Sequence, residues 1–175
     1  MDIRSYIAEN RARFMEEWAS LIRIPSISCQ PSHKADMLRC AERWRELLLE
    51  AGVQHAEVMP SQGNPFVYAE YNPLDVKGER LENQGEKIPT VLVYSHYDVM
   101  PVEPLELWNS EPFEPTIRDG RLYARGADDD KGQAMIQVKA FEYLVRKGLM
   151  NCRVKFIFEG EEEIGSPSLE AFLEE

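Results

Sequence analysis

The segment that most constrains the fold is residues 91–98, in which four consecutive apolar residues are followed by Ser-His-Tyr-Asp. The apolar run, with Pro89 just before it, predicts a short strand that is buried on both faces. Side chains alternate along an extended chain, so His96 and Asp98 are expected on the same side of the strand end. An imidazole beside a carboxylate suits metal binding, although a structural histidine, the commoner case, fits the segment equally well.

Composition narrows the class of protein. The chain has 175 residues, of which 43% are hydrophobic and 29% are charged, as is typical of one globular domain. A formal charge of −11 disfavours nucleic acid and anionic membrane surfaces as partners and favours cations. The three cysteines lack C-x-x-C spacing, and the N-terminus has no apolar signal region, so we expect a reduced, cytoplasmic protein.

Segments with helical periodicity lie before, between and after segments with strand character, which predicts an α/β fold with three layers, αβα, around a mostly parallel central sheet. A polar stretch between residues 72 and 89 is expected to be a solvated excursion. The predicted elements are helices over 3–22, 35–51 and 130–147, strands over 53–59, 66–71 and 152–158 besides the one above, a hairpin over 117–123, and a last helix beginning at Ser166 and Pro167.

Two acidic clusters follow predicted elements. Residues 128–130 are all aspartate at a helix start, and four glutamates lie between residues 159 and 163, directly after a buried strand. Each cluster alone has a structural explanation, as a helix cap or a solvated face. Parallel strands would bring both clusters together with His96 at one sheet edge. Nitrogen and carboxylate donors suit zinc, manganese or cobalt better than calcium, and two ions sharing a carboxylate would need about this much negative charge.

Five motifs, in order, resemble a known family. They are L-I-R-I-P-S-I-S at 21–28, H-x-D at 96–98, Trp108 with Pro112-Phe113, G-x-x-D-x-K-G at 126–132, and E-G-x-E-E-x-G-S at 159–166. Together they look like the dizinc metallopeptidases that include carnosinase, glutamate carboxypeptidase, aminoacylase and succinyl-diaminopimelate desuccinylase. The acidic motifs are more similar to the dipeptidase, carnosinase and glutamate carboxypeptidase branch.

The resemblance implies a role for each of five residues. His96 is a ligand of one ion, and Asp98 orients the His96 ring. Asp129 bridges both ions, Glu163 is a ligand of the second ion, and Glu162 is the general base. The implied cofactors are two zinc ions per complete site, with manganese or cobalt as substitutes. The other acidic residues of the two clusters are not expected to be ligands, and His33 and His55 match no family motif and are expected at the surface.

The implied function is a metal-dependent hydrolase of small amide or peptide substrates, a dipeptidase that uses a dizinc-activated water. The alternatives are an N-acyl-amino-acid deacylase of the same family and a non-catalytic metal-binding domain. Family members are longer, with further ligands downstream and a lid domain that often dimerises. We therefore expect residues 1–175 to be the N-terminal part of a catalytic domain that binds metal incompletely and is inactive alone, and a longer parent that dimerises through its lid.

Overall fold

The computed structural model describes residues 2–73 and 88–174, so most of the predicted polar excursion lies outside the described residues. Helices and strands occur in the predicted order, within a few residues of the predicted bounds. The elements are α1 (Ile3–Ile22), α2 (Lys34–Ala51), β1 (His55–Met59), β2 (Phe66–Tyr71), β3 (Thr90–His96), β4 (Thr116–Arg118), β5 (Arg121–Tyr123), α3 (Lys131–Arg146), β6 (Arg153–Glu159) and α4 (Leu169–Glu174).

Local sequence signals explain most of the element ends. The Asp2 side chain accepts a hydrogen bond from the Ser5 amide and caps α1. Helix α2 ends at Gly52, whose φ of 109° is a left-handed conformation that suits glycine. The last helix begins at Leu169 rather than at the predicted Ser166, because Ser166 has a φ of 52° and cannot adopt the extended cap conformation.

The α/β class is confirmed, but the four-stranded sheet is mixed rather than mostly parallel among the described strands. Its order is β1-β2-β6-β3, and only the β6–β3 pair is parallel. The loop of residues 60–65 between β1 and β2 is too short for a crossover, so these strands form a hairpin. The parallel pair, joined through α3, places His96 opposite Glu159 at its carboxyl end.

Helices pack on both faces of the sheet, which confirms the layered arrangement, although the short α4 leaves part of the second face uncovered. On one face Trp44 of α2 packs edge-on against Phe158, and Phe141 of α3 packs against Phe156. On the other face Phe172 of α4 stacks on Phe66, with ring centroids 3.9 Å apart.

Strand β3 was predicted to be buried on both faces, and the structure shows that this is wrong for most of its length. Leu92 and Tyr94 are exposed, because β3 is an edge strand and no described element covers the face on which they lie. Val91, on the opposite face near the start of the strand, is exposed as well. The carboxyl end of β3 is nevertheless buried at Ser95 and His96. The end of β3 that carries the candidate site is therefore more buried than the middle of the strand.

Candidate metal centre

His96 lies at the end of β3 with its two ring nitrogens in different surroundings. Nδ1 lies 3.2 Å from the buried carboxylate of Asp98 and 3.1 Å from the Asp98 carbonyl oxygen. Nε2 lies 3.0 Å from Asp129 Oδ1 and 3.8 Å from Glu162 Oε2. The predicted pairing of His96 with Asp98 is therefore present, and Nε2 faces the acidic residues from the two other motifs.

Asp98 also binds the loop that follows β6. Its Oδ1 accepts a hydrogen bond from the Glu162 amide at 3.2 Å, and its Oδ2 accepts one from the Glu163 amide at 3.1 Å. One buried carboxylate thus orients the imidazole and fixes the backbone that carries two predicted site residues. Strand periodicity predicted the first contact, whereas the second depends on the folded path of residues 160–163 and has no sequence signal.

The electrostatics of this region favour positive charge. Burial disfavours the charged imidazole, but the hydrogen bond and charge of Asp98, with Asp129 and Asp130, raise the pKa of His96 to about 9. The pKa of Glu163 is also raised, first by burial and then by the negative charge of Asp129. Each shift shows that several carboxylates lie close together around a single imidazole.

The loop of residues 126–130 positions Asp129. Gly126 has a φ of 74°, and a β-carbon there would lie 2.8 Å from a methyl group of Val99. Asp130, expected only as a helix-start neighbour, accepts hydrogen bonds from the Ser95 hydroxyl and, at 3.1 Å, from the His96 amide. The peptide bond between Asp129 and Asp130 is cis. With Asp130 bound to β3, the Asp129 side chain remains 73% exposed beside His96.

Lys131 joins two of the motifs and was given no role in the sequence prediction. Its side chain is fully buried, and Nζ donates to the carbonyl oxygens of Leu21 at 3.0 Å and Ile24 at 2.8 Å. Burial lowers the pKa of this amine. Lys131 thereby connects the start of α3 to the end of α1. The available signal in the sequence was the Lys131-Gly132 pair within the motif at 126–132.

The predicted ligands match zinc in chemistry but form an incomplete set. Within the described ranges, no three His, Cys, Asp or Glu side chains are placed to hold one ion. The donors that do face each other are the Nε2 atom of His96 and a carboxylate oxygen of Asp129, which is a nitrogen and oxygen pair typical of zinc sites.

The remaining acidic and histidine residues have other surroundings. Glu159 accepts hydrogen bonds from the hydroxyls of Tyr94 and Ser166, and Glu161 accepts one from the Asn64 amide. His33 contacts Asp36, and His55 contacts Glu57 near the surface, away from His96.

Comparison with known proteins places the chain in a family. Residues 92–175 match the sequence model of peptidase family M20/M25/M40, and this range contains all five predicted site residues. A cysteinylglycine-S-conjugate dipeptidase of Corynebacterium striatum is 34% identical over 160 residues, which are 91% of this chain and 32% of that protein. The chain belongs to the M20/M25/M40 peptidase family.

Solved structures of family members have the same fold. The M20 family metallo-carboxypeptidase Sso-CP2 of Sulfolobus solfataricus is 36% identical with a TM-score of 0.78, over 92% of this chain and 33% of its own. Human carnosine dipeptidase 1 is 27% identical with a TM-score of 0.81, over 97% of this chain and 36% of its own. The resemblance predicted from the motifs is confirmed.

This member of the M20/M25/M40 family spans only part of its relatives. The aligned part of the curated relatives is between 17% and 34% of their length. A search of the described helices for one with the length and apolar character of a membrane span finds none.

Proposed function

We propose that this chain supplies part of the active site of a metal-dependent hydrolase of small peptides, with dipeptides as the substrate class. The observation that carries the proposal is the double contact of Asp98, which orients His96 and holds the amides of Glu162 and Glu163. The similarity to a dipeptidase and to a metallo-carboxypeptidase supports both the reaction and the need for metal.

In this proposal His96, Asp129 and Glu163 are ligands of two zinc ions, for which manganese or cobalt could substitute. A bound divalent ion would polarise the amide carbonyl of the substrate and lower the pKa of the attacking water. Asp98 accepts a hydrogen bond from the Nδ1–H group of His96, so that the lone pair of Nε2 is directed towards the metal site. Asp129 is the exposed carboxylate nearest to that nitrogen.

Glu162 is the proposed general base. Its carboxylate is half exposed and 3.8 Å from the His96 ring, while its own amide is bound to Asp98. A carboxylate in this position takes the proton from the attacking water and passes it to the leaving amine as the amide bond breaks. The fixed backbone limits the orientations that the Glu162 side chain can adopt.

We also propose that the site needs further ligands that the described residues do not include. The support is the absence, among residues 2–73 and 88–174, of three donors placed for one ion. Structural zinc sites usually have four ligands, and catalytic sites usually have three protein ligands with an open position. The 175-residue chain is therefore expected to bind zinc weakly and to hydrolyse little or no dipeptide.

The test is elemental analysis of the zinc that the purified chain retains at equilibrium in dialysis, across a range of zinc concentrations that extends to weak binding. His96→Ala should reduce the retained zinc. His55→Ala is the matched control, since His55 is exposed beside Glu57, and it should retain as much zinc as the wild type. A wild type that retains no zinc at any concentration, or a His96→Ala variant that retains the same amount, would contradict the proposed metal site.

Substrate assays test the rest of the proposal. Dipeptides and N-acyl amino acids are offered to the zinc-loaded chain and to any longer form of the protein. Hydrolysis of dipeptides by the longer form supports a dipeptidase, whereas hydrolysis of N-acyl amino acids alone would show a deacylase. Efficient hydrolysis by the 175-residue chain itself would disprove the need for further ligands.

A further inference from the structure

The loop of residues 60–65, here called the β1–β2 loop, is bound to the loop that follows β6. The Asn64 amide donates to Glu161 Oε1 at 3.1 Å, and the Asn64 side-chain nitrogen donates to the Gly160 carbonyl oxygen at 2.9 Å. These residues are almost one hundred positions apart in the sequence. The contact involves the two residues that immediately precede Glu162 and Glu163.

Glycines allow the close contacts here, Gly63 between the two loops and Gly160 against the side chain of Tyr97. A β-carbon at Gly63 would lie 1.8 Å from Glu161 Oε1, and one at Gly160 would lie 2.4 Å from the Tyr97 hydroxyl oxygen. That hydroxyl donates to the Pro65 carbonyl oxygen at 2.6 Å. The β1–β2 loop is therefore bound to Gly160 and Glu161 through two hydrogen bonds and to Tyr97 through a third.

Glu161 is an unusual residue for a position that only packs. It is 5% exposed, and within the described part of the chain no Lys, Arg or His pairs with its carboxylate. Its Oε2 atom is buried without a hydrogen-bond partner. Burying an unpaired carboxylate is unfavourable, and an apolar side chain of similar length would avoid this cost. What the carboxylate contributes is the bond to Asn64.

We propose that Glu161 is a positioning residue that, with Asn64, fixes the loop carrying Glu162 and Glu163. Asp98 binds this loop on one side through the amides of Glu162 and Glu163. The β1–β2 loop binds it on the other side through Gly160 and Glu161. Holding the backbone at both sides restricts the directions of the two side chains that follow. The catalytic meaning of this restraint rests on the proposed function, but the restraint itself can be measured without metal.

The test is hydrogen–deuterium exchange of single amides in the metal-free chain, compared for wild type, Glu161→Met and Glu161→Gln. In Glu161→Met the amides of Asn64, Glu162 and Glu163 should exchange at least about tenfold faster, because a hydrogen bond to a charged group is lost. Amides in the middle of β6 should be unchanged. Glutamine keeps an acceptor oxygen, so Glu161→Gln should restore most of the protection.

Two results would overturn the proposal. The first is that the amides of Glu162 and Glu163 exchange at the same rate in Glu161→Met as in the wild type. The second is that they exchange at equal rates in Glu161→Met and Glu161→Gln. Gly63→Ala disturbs the same contact from the opposite loop without changing Glu161, and should also accelerate exchange at Glu162 and Glu163. This second variant decides the question if Glu161→Met does not fold.

The zinc measurement separates this inference from the proposed function. If the wild type retains zinc and His96→Ala does not, the exchange data show whether Glu161 supports a working metal centre. If the wild type retains no zinc, the proposed function fails, while the exchange data still decide whether Glu161 restrains the loop.

Discussion

Two groups of charged side chains in this molecule differ in how their charge is balanced. The first, here called the α1–α3 cluster, joins the two helices through Arg13, Glu17, Lys139, Glu142 and Arg146. The carboxylate of Glu142, which is fully buried, forms three ion pairs. Its oxygens lie 2.5 Å from a nitrogen of Arg13, 2.8 Å from Nζ of Lys139 and 2.9 Å from Nε of Arg146. Two carboxylates thus have three cationic partners, and their charge is satisfied within the protein.

The second group, around His96, is mostly acidic. Asp98, Asp129 and Glu162 approach one imidazole, and Asp130 binds the backbone of the same residue. Among the described residues, the ion-pair partner of Asp98, Asp129 and Glu162 is His96, and no Lys or Arg pairs with them or with Asp130. The comparison teaches that acidic residues alone do not indicate a ligand site. Missing cationic partners distinguish the region that we propose for metal from the one that stabilises helix packing.

The largest expected effect is on stability, from Glu142→Ala. The substitution leaves Arg13 and Lys139 with Glu17 as the one remaining carboxylate of the cluster. It also removes the acceptor of the Tyr6 hydroxyl. Breaking a buried ion pair by removing one partner costs about 3–5 kcal/mol. The free energy of unfolding, measured with urea, should fall by this amount. A loss below about 1 kcal/mol would show that the cluster contributes little to stability.

The same cluster predicts a pH dependence. Burial opposes ionisation of Glu142, but hydrogen bonds from Arg13 and Lys139 outweigh it and lower its pKa from 4.5 to about 2. The folded state therefore holds fewer protons than the unfolded state between these values. The stabilisation is complete above pH 4.5 and is lost as the pH falls towards about 2.

Urea unfolding measured from pH 6 down to about pH 2 checks this dependence. Glu142→Gln, which does not titrate, is the matched control and should show a flatter decline with falling pH. Equal slopes in the two proteins would mean that Glu142 is not responsible.

The contrast between the two groups explains what could be predicted from the sequence. The pairing of His96 with Asp98 is local, because two residues at the end of one strand share a face. The hairpin at Asp119-Gly120 and the αL cap at Gly52 were equally local and are present. These features need no knowledge of how distant segments pack.

Apart from the later start of α4, which follows from the local backbone conformation of Ser166, the missed features depend on distant segments. The antiparallel pairing of β2 with β6 joins residues nearly ninety positions apart, and periodicity carries no strand direction. The bonds of Lys131 to the end of α1 and of Glu161 to Asn64 likewise join distant segments. The outer face of β3 was predicted buried because an apolar run indicates preference for burial, whereas its burial depends on which neighbours are present.

A smaller effect, on metal affinity, is expected from Asp98→Asn. Both carboxylate oxygens of Asp98 accept backbone amides, so the side-chain amide of asparagine would point an N–H at another donor. The loss of charge also weakens the orientation of His96. Such partners of a metal-binding histidine typically contribute about 10–100-fold to affinity. The lost hydrogen bonds of this buried side chain also lower stability, so the zinc titration against a competing chelator is made at a temperature where circular dichroism shows that the variant is folded. Wild-type affinity under those conditions would argue against Asp98 as the orienting residue.

The smallest expected effect is on stability, from an exposed ion pair that has the same nitrogen-to-oxygen distance as a pair of the α1–α3 cluster. Arg43 and Glu46 of α2 form an ion pair of 2.9 Å, the same length as the pair between Arg146 and Glu142. Glu46 is 52% exposed, whereas Glu142 is fully buried. Exposed pairs contribute less than about 1 kcal/mol because water and salt screen them. Glu46→Ala should therefore change the free energy of unfolding by about 0.5 kcal/mol or less. If Glu46→Ala and Glu142→Ala destabilise the protein equally, burial is not what makes the α1–α3 cluster stabilising.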